Sequence, residues 1–361
     1  MQILHAPRRP APGVASAVLG VLAIAVGAGI AVRWLPKAGF RLPTVAGLAL
    51  LLLGIVAVGA AVVGFWRAVH GVRRLWLVPA ALVALVLLYA VGLAVSLTVV
   101  PPTASPAGGE QAARALEAQD VALRAGDGVR LSAWWAPSRN GAAVLLLHGA
   151  GETRAATLPQ ARVLVRHGYG VLLLDARGHG DSGGRGMDAG WYGDDDVRAA
   201  VDFLVGRPGV DPGRIAVLGL SMGAEEAIGA ASGDGRIRAV VAEGATGRTA
   251  ADKDGWLPGG PTGIAQRGLD RLTYGVVDLL TAAGPPPRLA DAVARATGAR
   301  FLLITAGTMP DEAVAAGVLR DAAPHRVRVW TVDDATHTHA LAAEPADWEA
   351  RVTGFLDAAL G

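Results

Sequence analysis

The 361-residue chain has no cysteine, which excludes disulfides and any Cys/His metal pattern but says nothing about which side of a membrane a domain occupies. Charge is also scarce. Only 18% of residues are charged against 52% hydrophobic, too apolar a balance for an ordinary soluble protein. From Met1 to Gly109 there is no Asp or Glu at all, while Arg8, Arg9, Arg33, Lys37, Arg41, Arg67, Arg73 and Arg74 give that stretch +8. The whole chain carries +2, so residues 110–361 carry −6. The basic residues flank apolar segments and the larger C-terminal part is acidic, which argues against nucleic acid as a partner. There is no Walker-type phosphate loop and no apparent internal repeat, and no cofactor is expected.

What the first hundred residues do contain is uninterrupted apolar sequence. Gly13–Val32, Thr44–Trp66 and Leu75–Val100 are uncharged runs of 20, 23 and 26 residues, each long enough to cross about 30 Å of hydrocarbon as a helix. A cleaved signal peptide is the rival reading for the first, but its apolar run exceeds roughly 7 to 15 residues and two more such runs follow. Three transmembrane helices are therefore expected, with the lipid bilayer as partner. Arg8, Arg9, Arg67, Arg73 and Arg74 fall on one side, and Arg33, Lys37, Arg41 and Arg114 on the other. The positive-inside rule then places the N-terminus in the cytoplasm and the residues after 100 outside.

Residues 101–118, rich in Pro, Ala and Gly, read as a linker. Beyond it, short apolar runs predict strands around 119–124, 129–136, 143–148, 170–175, 214–219, 237–243, 300–306 and 326–332. Helical patterns fall around 154–167, 191–206, 222–232, 311–322 and 344–359. From Ala143 onward strand and helix alternate, the signature of an α/β domain with a mostly parallel sheet covered on both faces. In such sheets ligands bind beyond the carboxyl ends of the strands.

Two pentapeptides carry the Gly-x-Ser-x-Gly pattern that exposes a nucleophilic hydroxyl on a turn too tight for large neighbours: Gly180–Gly184 and Gly219–Gly223. With 49 Gly and 8 Ser, chance alone supplies about 0.15 such matches, so context must decide. Ser182 lies several residues past a strand end with no helix directly after it, and reads as a loop residue. Ser221 has an apolar strand before it, and after it a helix start with Glu225 and Glu226 in the first turn.

Residues 119–361 resemble an α/β-hydrolase of the bacterial dienelactone-hydrolase or serine-aminopeptidase-like type. Four landmarks occur in order: His148-Gly149-Ala150-Gly151 after the third strand, Asp175-Ala176-Arg177-Gly178-His179-Gly180 after the fourth, Gly219-Leu220-Ser221-Met222-Gly223 after the fifth, and Thr336-His337-Thr338 before the last helix. The resemblance implies an α/β-hydrolase fold and an acyl-enzyme formed on Ser221. It implies an oxyanion held by the backbone N–H groups of Ala150 and Met222, with His148 shaping the loop. It favours His337 over His339 as the base. For the acid it points to the loop after the seventh strand, where Asp311 is the first choice, Glu312 the adjacent alternative, and Glu243 at the end of the sixth strand a third. His5 and His70 belong to the membrane part, and His167, His179 and His325 are expected away from the site.

Residues 244–298 make too long an excursion for a plain connection and suggest a small cap, with Trp256 and Tyr274 as pocket walls or packing residues. Trp191 and Tyr192 read as core. The expectation is a membrane-anchored serine hydrolase acting on a small-molecule carboxylic ester or amide. An acyltransferase with the same triad is the alternative. A non-catalytic binding protein on this fold would not need Ser, acid and His in this order.

Overall fold

The computed structural model describes residues 12–99 and 108–361. Arg8, Arg9, His5 and the first half of the expected linker lie outside the described residues. The chain divides into two compact units, Met1–Leu97 with Gly275–Leu280, and Thr98–Tyr274 with Thr281–Gly361.

The first unit contains helices α1 (Pro12–Ala38), α2 (Leu42–Ala68) and α3 (Leu77–Thr98), the last preceded by a 3₁₀ turn at Gly71–Trp76. Their apolar stretches, Gly13–Pro36, Leu42–Ala68 and Arg74–Thr98, are each long and apolar enough to cross a membrane. Helices α1 and α2 meet through small residues. A Cβ placed on Gly54 would stand 2.6 Å from the Gly20 carbonyl oxygen, and one on Gly27 2.5 Å from that of Gly47. Glycines at such crossings let two apolar helices approach backbone to backbone, the packing expected where lipid supplies no hydrophobic drive between helices.

The second unit opens with α4 (Gly109–Arg114), whose Ala113 packs with Trp134 and Ala155, so the latter part of the expected linker is ordered helix against the core. Eight strands follow: β1 (Gln119–Arg124), β2 (Arg130–Ala136), β3 (Ala143–Leu147), β4 (Gly170–Leu174), β5 (Ile215–Leu220), β6 (Ile237–Glu243), β7 (Arg300–Ala306) and β8 (Val327–Val332). They form one sheet in the order β1-β2-β4-β3-β5-β6-β7-β8. Strand β2 runs antiparallel to both neighbours, and β3 to β8 are parallel.

Every residue of β3, β4 and β5 is buried, because helices cover both faces, and this is why these strands read as unbroken apolar runs rather than alternating ones. The helices are α5 (Leu158–Arg166), α6 (Gly193–Val205), α7 (Met222–Ala231), α8 (Ala250–Asp254), α9 (Gly260–Leu280, of which Gly275–Leu280 belongs to the first unit), α10 (Leu289–Arg295), α11 (Pro310–Ala322), α12 (Ala340–Ala343) and α13 (Pro345–Leu360). Odd and even strand positions sort the core into two layers. Leu145, Leu147 and Val217 join Val201 and Ile228 of α6 and α7, while Val144, Leu146 and Leu218 join Leu164, Val352 and Leu356 of α5 and α13. Short βα turns at the carboxyl ends of β3, β5, β7 and β8 thus face one edge of the sheet.

Candidate active site

Ser221 stands between the last residue of β5 and the first of α7, at φ 52° and ψ −117°. A non-glycine residue at positive φ is strained by on the order of 1 to 3 kcal/mol and persists only where its surroundings fix it. Here they do. The Ser221 N–H donates to the Glu243 carbonyl at 2.8 Å, and the Ser221 carbonyl accepts from Ala224 N and Glu225 N at 2.9 and 3.1 Å. The flanking glycines are sterically required. A Cβ on Gly219 would collide with the Gly223 carbonyl, and one on Gly223 would come within 2.6 to 2.8 Å of Leu147 and the His148 carbonyl.

His337 follows β8, and its Nε2 lies 2.8 Å from Ser221 Oγ. Its imidazole packs over Gly244, where a Cβ would meet ring atom Cε1 at 2.8 Å. On the other side of the ring, Nδ1 lies 2.6 Å from Glu312 Oε1. The second oxygen of that carboxylate accepts from the Ala306 N–H at 2.8 Å, fixing the group at the end of β7. Glu312 is only 1% exposed and sits in the first turn of α11, where the helix terminus favours negative charge. The Glu312 hydrogen bond pushes the His337 pKa above its ordinary value, against the opposing effect of partial burial.

Of the two acids expected in this loop, Glu312 and not Asp311 lies against this histidine. Pro310 starts α11, so residues 311 and 312 point about 100° apart around the helix. Asp311 faces solvent and Glu312 faces the sheet edge, where the longer side chain spans the gap. Glu243, the third candidate, is buried and directs Oε1 to the Ala340 N–H at 2.8 Å, and burial raises its pKa. His339 is exposed, with Nδ1 2.6 Å from the His337 carbonyl oxygen.

The loop carrying Ala150 passes beside the serine, since a Cβ on Gly149 would stand 3.5 Å from Ser221 Cβ. The N–H groups on either side of Ala150 are committed, Gly149 N to Glu152 Oε2 at 3.1 Å and Gly151 N to His179 Nε2 at 3.0 Å. Met222 is the first residue of α7, so its N–H has no intrahelical acceptor.

Two buried imidazoles hold this loop. His148 Nε2 accepts from Ala176 N at 3.0 Å, with Nδ1 2.8 Å from the Gly149 carbonyl oxygen; His179 Nε2 accepts from Gly151 N, with Nδ1 2.9 Å from the Arg177 carbonyl oxygen. Accepting from a peptide N–H requires a bare Nε2, so both rings carry their proton on Nδ1. His179, expected away from the site, is therefore a support of the Ala150 loop. The signal that could have found it is the parallel pairing of β3 with β4, which sets the loops after both strands side by side.

Ser182 has a different setting. Its hydroxyl donates to the Asp175 carbonyl at 2.6 Å and accepts from Ser132 N at 2.8 Å, bridging strand ends. Of the aromatic residues considered as pocket walls, Trp256 Nε1 donates to the Thr246 carbonyl at 3.2 Å and the Tyr274 hydroxyl lies 3.5 Å from the Gly247 carbonyl. Trp191 is buried and donates to the Arg248 carbonyl, and Tyr192 stacks under the Arg177 guanidinium. A cleft of about 580 Å³ that Ser221 does not line is bordered by charged residues including Asp120, Arg130, Arg154 and Asp181. Among the described residues no three His, Asp or Glu side chains group as metal ligands would.

An eight-stranded, mostly parallel sheet with a serine on a strained strand-to-helix turn defines an α/β-hydrolase fold. Comparison with known proteins agrees. Residues 138–266 match the family model described as serine aminopeptidase, S33. The esterase Pf2001 of Pyrococcus furiosus superposes with a TM-score of 0.57 at 27% identity, over 73% of this chain and 99% of that one. The uncharacterised protein Rv2307c of Mycobacterium tuberculosis is 40% identical over 116 residues, 31% of this chain and 41% of its own. The uncharacterised protein YfhR of Escherichia coli K12 is 30% identical over 151 residues, 39% of this chain and 52% of its own. The chain thus spans about two fifths to one half of the length of the curated relatives it matches. The chain has the α/β-hydrolase fold, and over residues 138–266 it is similar to the serine aminopeptidase family.

Proposed function

We propose that this chain is a membrane-anchored serine hydrolase that cleaves a carboxylic ester through an acyl-enzyme on Ser221. The observation that carries the reading is the continuous relay from Ser221 Oγ through His337 to Glu312, at 2.8 and 2.6 Å. In this reading His337 Nε2 takes the serine proton as Oγ attacks the carbonyl carbon. Glu312 keeps the other proton on Nδ1 and stabilises the imidazolium that forms. The oxyanion develops against the N–H groups of Met222 and Ala150. His337 then returns the proton to the leaving alcohol, and water repeats the sequence on the acyl-enzyme. An esterase as solved neighbour supports an ester, and the aminopeptidase description of the matching family keeps an amide as the second reading.

A fluorophosphonate probe is expected to modify the full chain once, and peptide mapping to place the adduct on Ser221. Hydrolysis of p-nitrophenyl esters should exceed that of aminoacyl amides. An adduct elsewhere, or no adduct on folded protein, would reject the nucleophile, and faster amide cleavage would favour the second reading.

The three apolar helices support anchoring in a bilayer, and the arginine distribution supports a cytoplasmic N-terminus with the hydrolase domain on the opposite face. Protease added to intact cells should then degrade the domain; its survival until the cells are lysed would reverse the topology.

A further inference from the structure

Helix α9 turns an apolar face outward. A surface helix normally turns its apolar stripe toward the protein and its polar side toward water. At about 100° per residue, Ile264, Ala265, Gly268, Leu272, Val276 and Leu279 of α9 fall in one arc of about 120° that contains no polar side chain. That arc is the outer one. Ile264 is 65% and Leu279 84% exposed, Ala265 and Gly268 are exposed, and Leu272 and Val276 are half-buried. The opposite side holds Val277, Asp270 and Thr273, all buried, and Asp270 takes a salt bridge from Lys253 at 3.4 Å and a hydrogen bond from Gln266 at 3.2 Å. Single exposed leucines mean little, but a continuous apolar stripe over about four turns of helix marks a surface made for an apolar partner.

We propose that the outer face of α9 lies in the headgroup–acyl boundary of a lipid bilayer as an interfacial helix. The bilayer is favoured over other occupants by two further observations. Arg267 and Arg271 border the arc on one side. Exposed Asp278 lies between them; Arg267 donates to the Leu257 and Pro258 carbonyls, and Arg271, with Asp254 as partner, keeps a side chain 65% exposed, so these three residues leave one net positive charge along the flank where anionic headgroups begin. The second is chain length: ten residues separate Thr98 at the end of α3 from Gly109 at the start of α4, a reach of about 40 Å at full extension. Once α3 crosses a bilayer, that bilayer is the one apolar phase permanently within range of the domain. The proposal rests on the membrane reading given above.

The absence of native cysteine makes the test direct. Full-length chains carrying Leu53→Cys in α2, Ile264→Cys in α9 or Asp321→Cys on exposed α11 are labelled with a polarity-sensitive dye. They are reconstituted in vesicles of phosphatidylcholine and phosphatidylglycerol, with and without bromine on the acyl chains. Bromolipid should quench the dye at positions 53 and 264 and leave position 321 unchanged. Quenching at 53 but not at 264 would overturn the docking of α9 while leaving the spanning helices in place. No quenching at 53 or 264 would overturn the membrane reading and the docking with it. Equal quenching at all three positions would remove the assignment to this face. An unquenched Ile264→Cys chain that forms disulfide-linked dimers would give the face to a second copy and overturn the proposal.

Discussion

Ser221→Ala is expected to lower kcat on an ester substrate by on the order of 10⁶, the size seen when one member of a serine relay is removed, while the melting temperature hardly moves. Ser182→Ala is expected to do the opposite. Both serines occupy a Gly-x-Ser-x-Gly pentapeptide, and the difference lies in what each hydroxyl touches. Ser221 Oγ has the His337 imidazole at 2.8 Å and contributes little packing, so its loss removes chemistry and leaves the turn, which is fixed by backbone hydrogen bonds and by Gly219 and Gly223. Ser182 Oγ bridges the Asp175 carbonyl and the Ser132 N–H. Removing it leaves a strand-end donor without its acceptor, a loss of about 1 to 3 kcal/mol and of several degrees in Tm, with turnover preserved in the protein that remains folded. Steady-state kinetics and thermal melts on the two variants separate these outcomes. Wild-type turnover in Ser221→Ala would remove the serine from the mechanism, and loss of turnover in folded Ser182→Ala would mean that the second pentapeptide reaches the chemistry.

The parts of this molecule legible in the sequence are those whose cause is local. The eight strands lie within one residue of their expected ends, because a strand buried on both faces must be apolar throughout and must stop where Gly, Pro or a polar turn begins. The strained turn at Ser221 is legible for the same reason: two glycines two residues either side leave few other conformations. What escaped depends on neighbours distant in sequence. The choice between Asp311 and Glu312 turns on which of two adjacent side chains of α11 faces β7, and no periodicity within a three-residue turn specifies that. His179 was passed over because the loop after β4 comes beside the loop after β3 only once the strands pair. The outward apolar face of α9 is a third case. Its sequence reads as an amphipathic helix, and only burial tells which side is turned outward.

Glu312→Gln should reduce kcat/KM by about 10⁴, and the cause is the wrong histidine tautomer rather than a lost contact. The Ala306 N–H points at one carboxylate oxygen, so a glutamine keeps its carbonyl there and presents its NH₂ to His337. Nδ1 must then accept, the proton moves to Nε2, and the ring can no longer take the serine proton. Asp311→Asn, on the solvent side of the same turn, should leave kcat/KM within about twofold, as surface changes away from such features do. If the effects are exchanged, the acid has been assigned to the wrong residue. The pH profile gives a second reading of the same pair. Glu312 holds the His337 pKa above its ordinary value of about 6.5, so the acidic limb of wild-type kcat/KM should lie above that pH, where the imidazole becomes neutral and able to act as base. In Glu312→Gln the raising interaction is gone, and the limb should move toward lower pH even as the plateau falls. The sign for stability is the reverse of that for activity. A raised folded-state pKa stabilises the fold fully below the ordinary value and loses that contribution as pH rises through the raised one. Activity is therefore expected in the pH range where the His337–Glu312 ion pair has given up its contribution to the fold, and the glutamine variant should lose stability mainly on the acidic side.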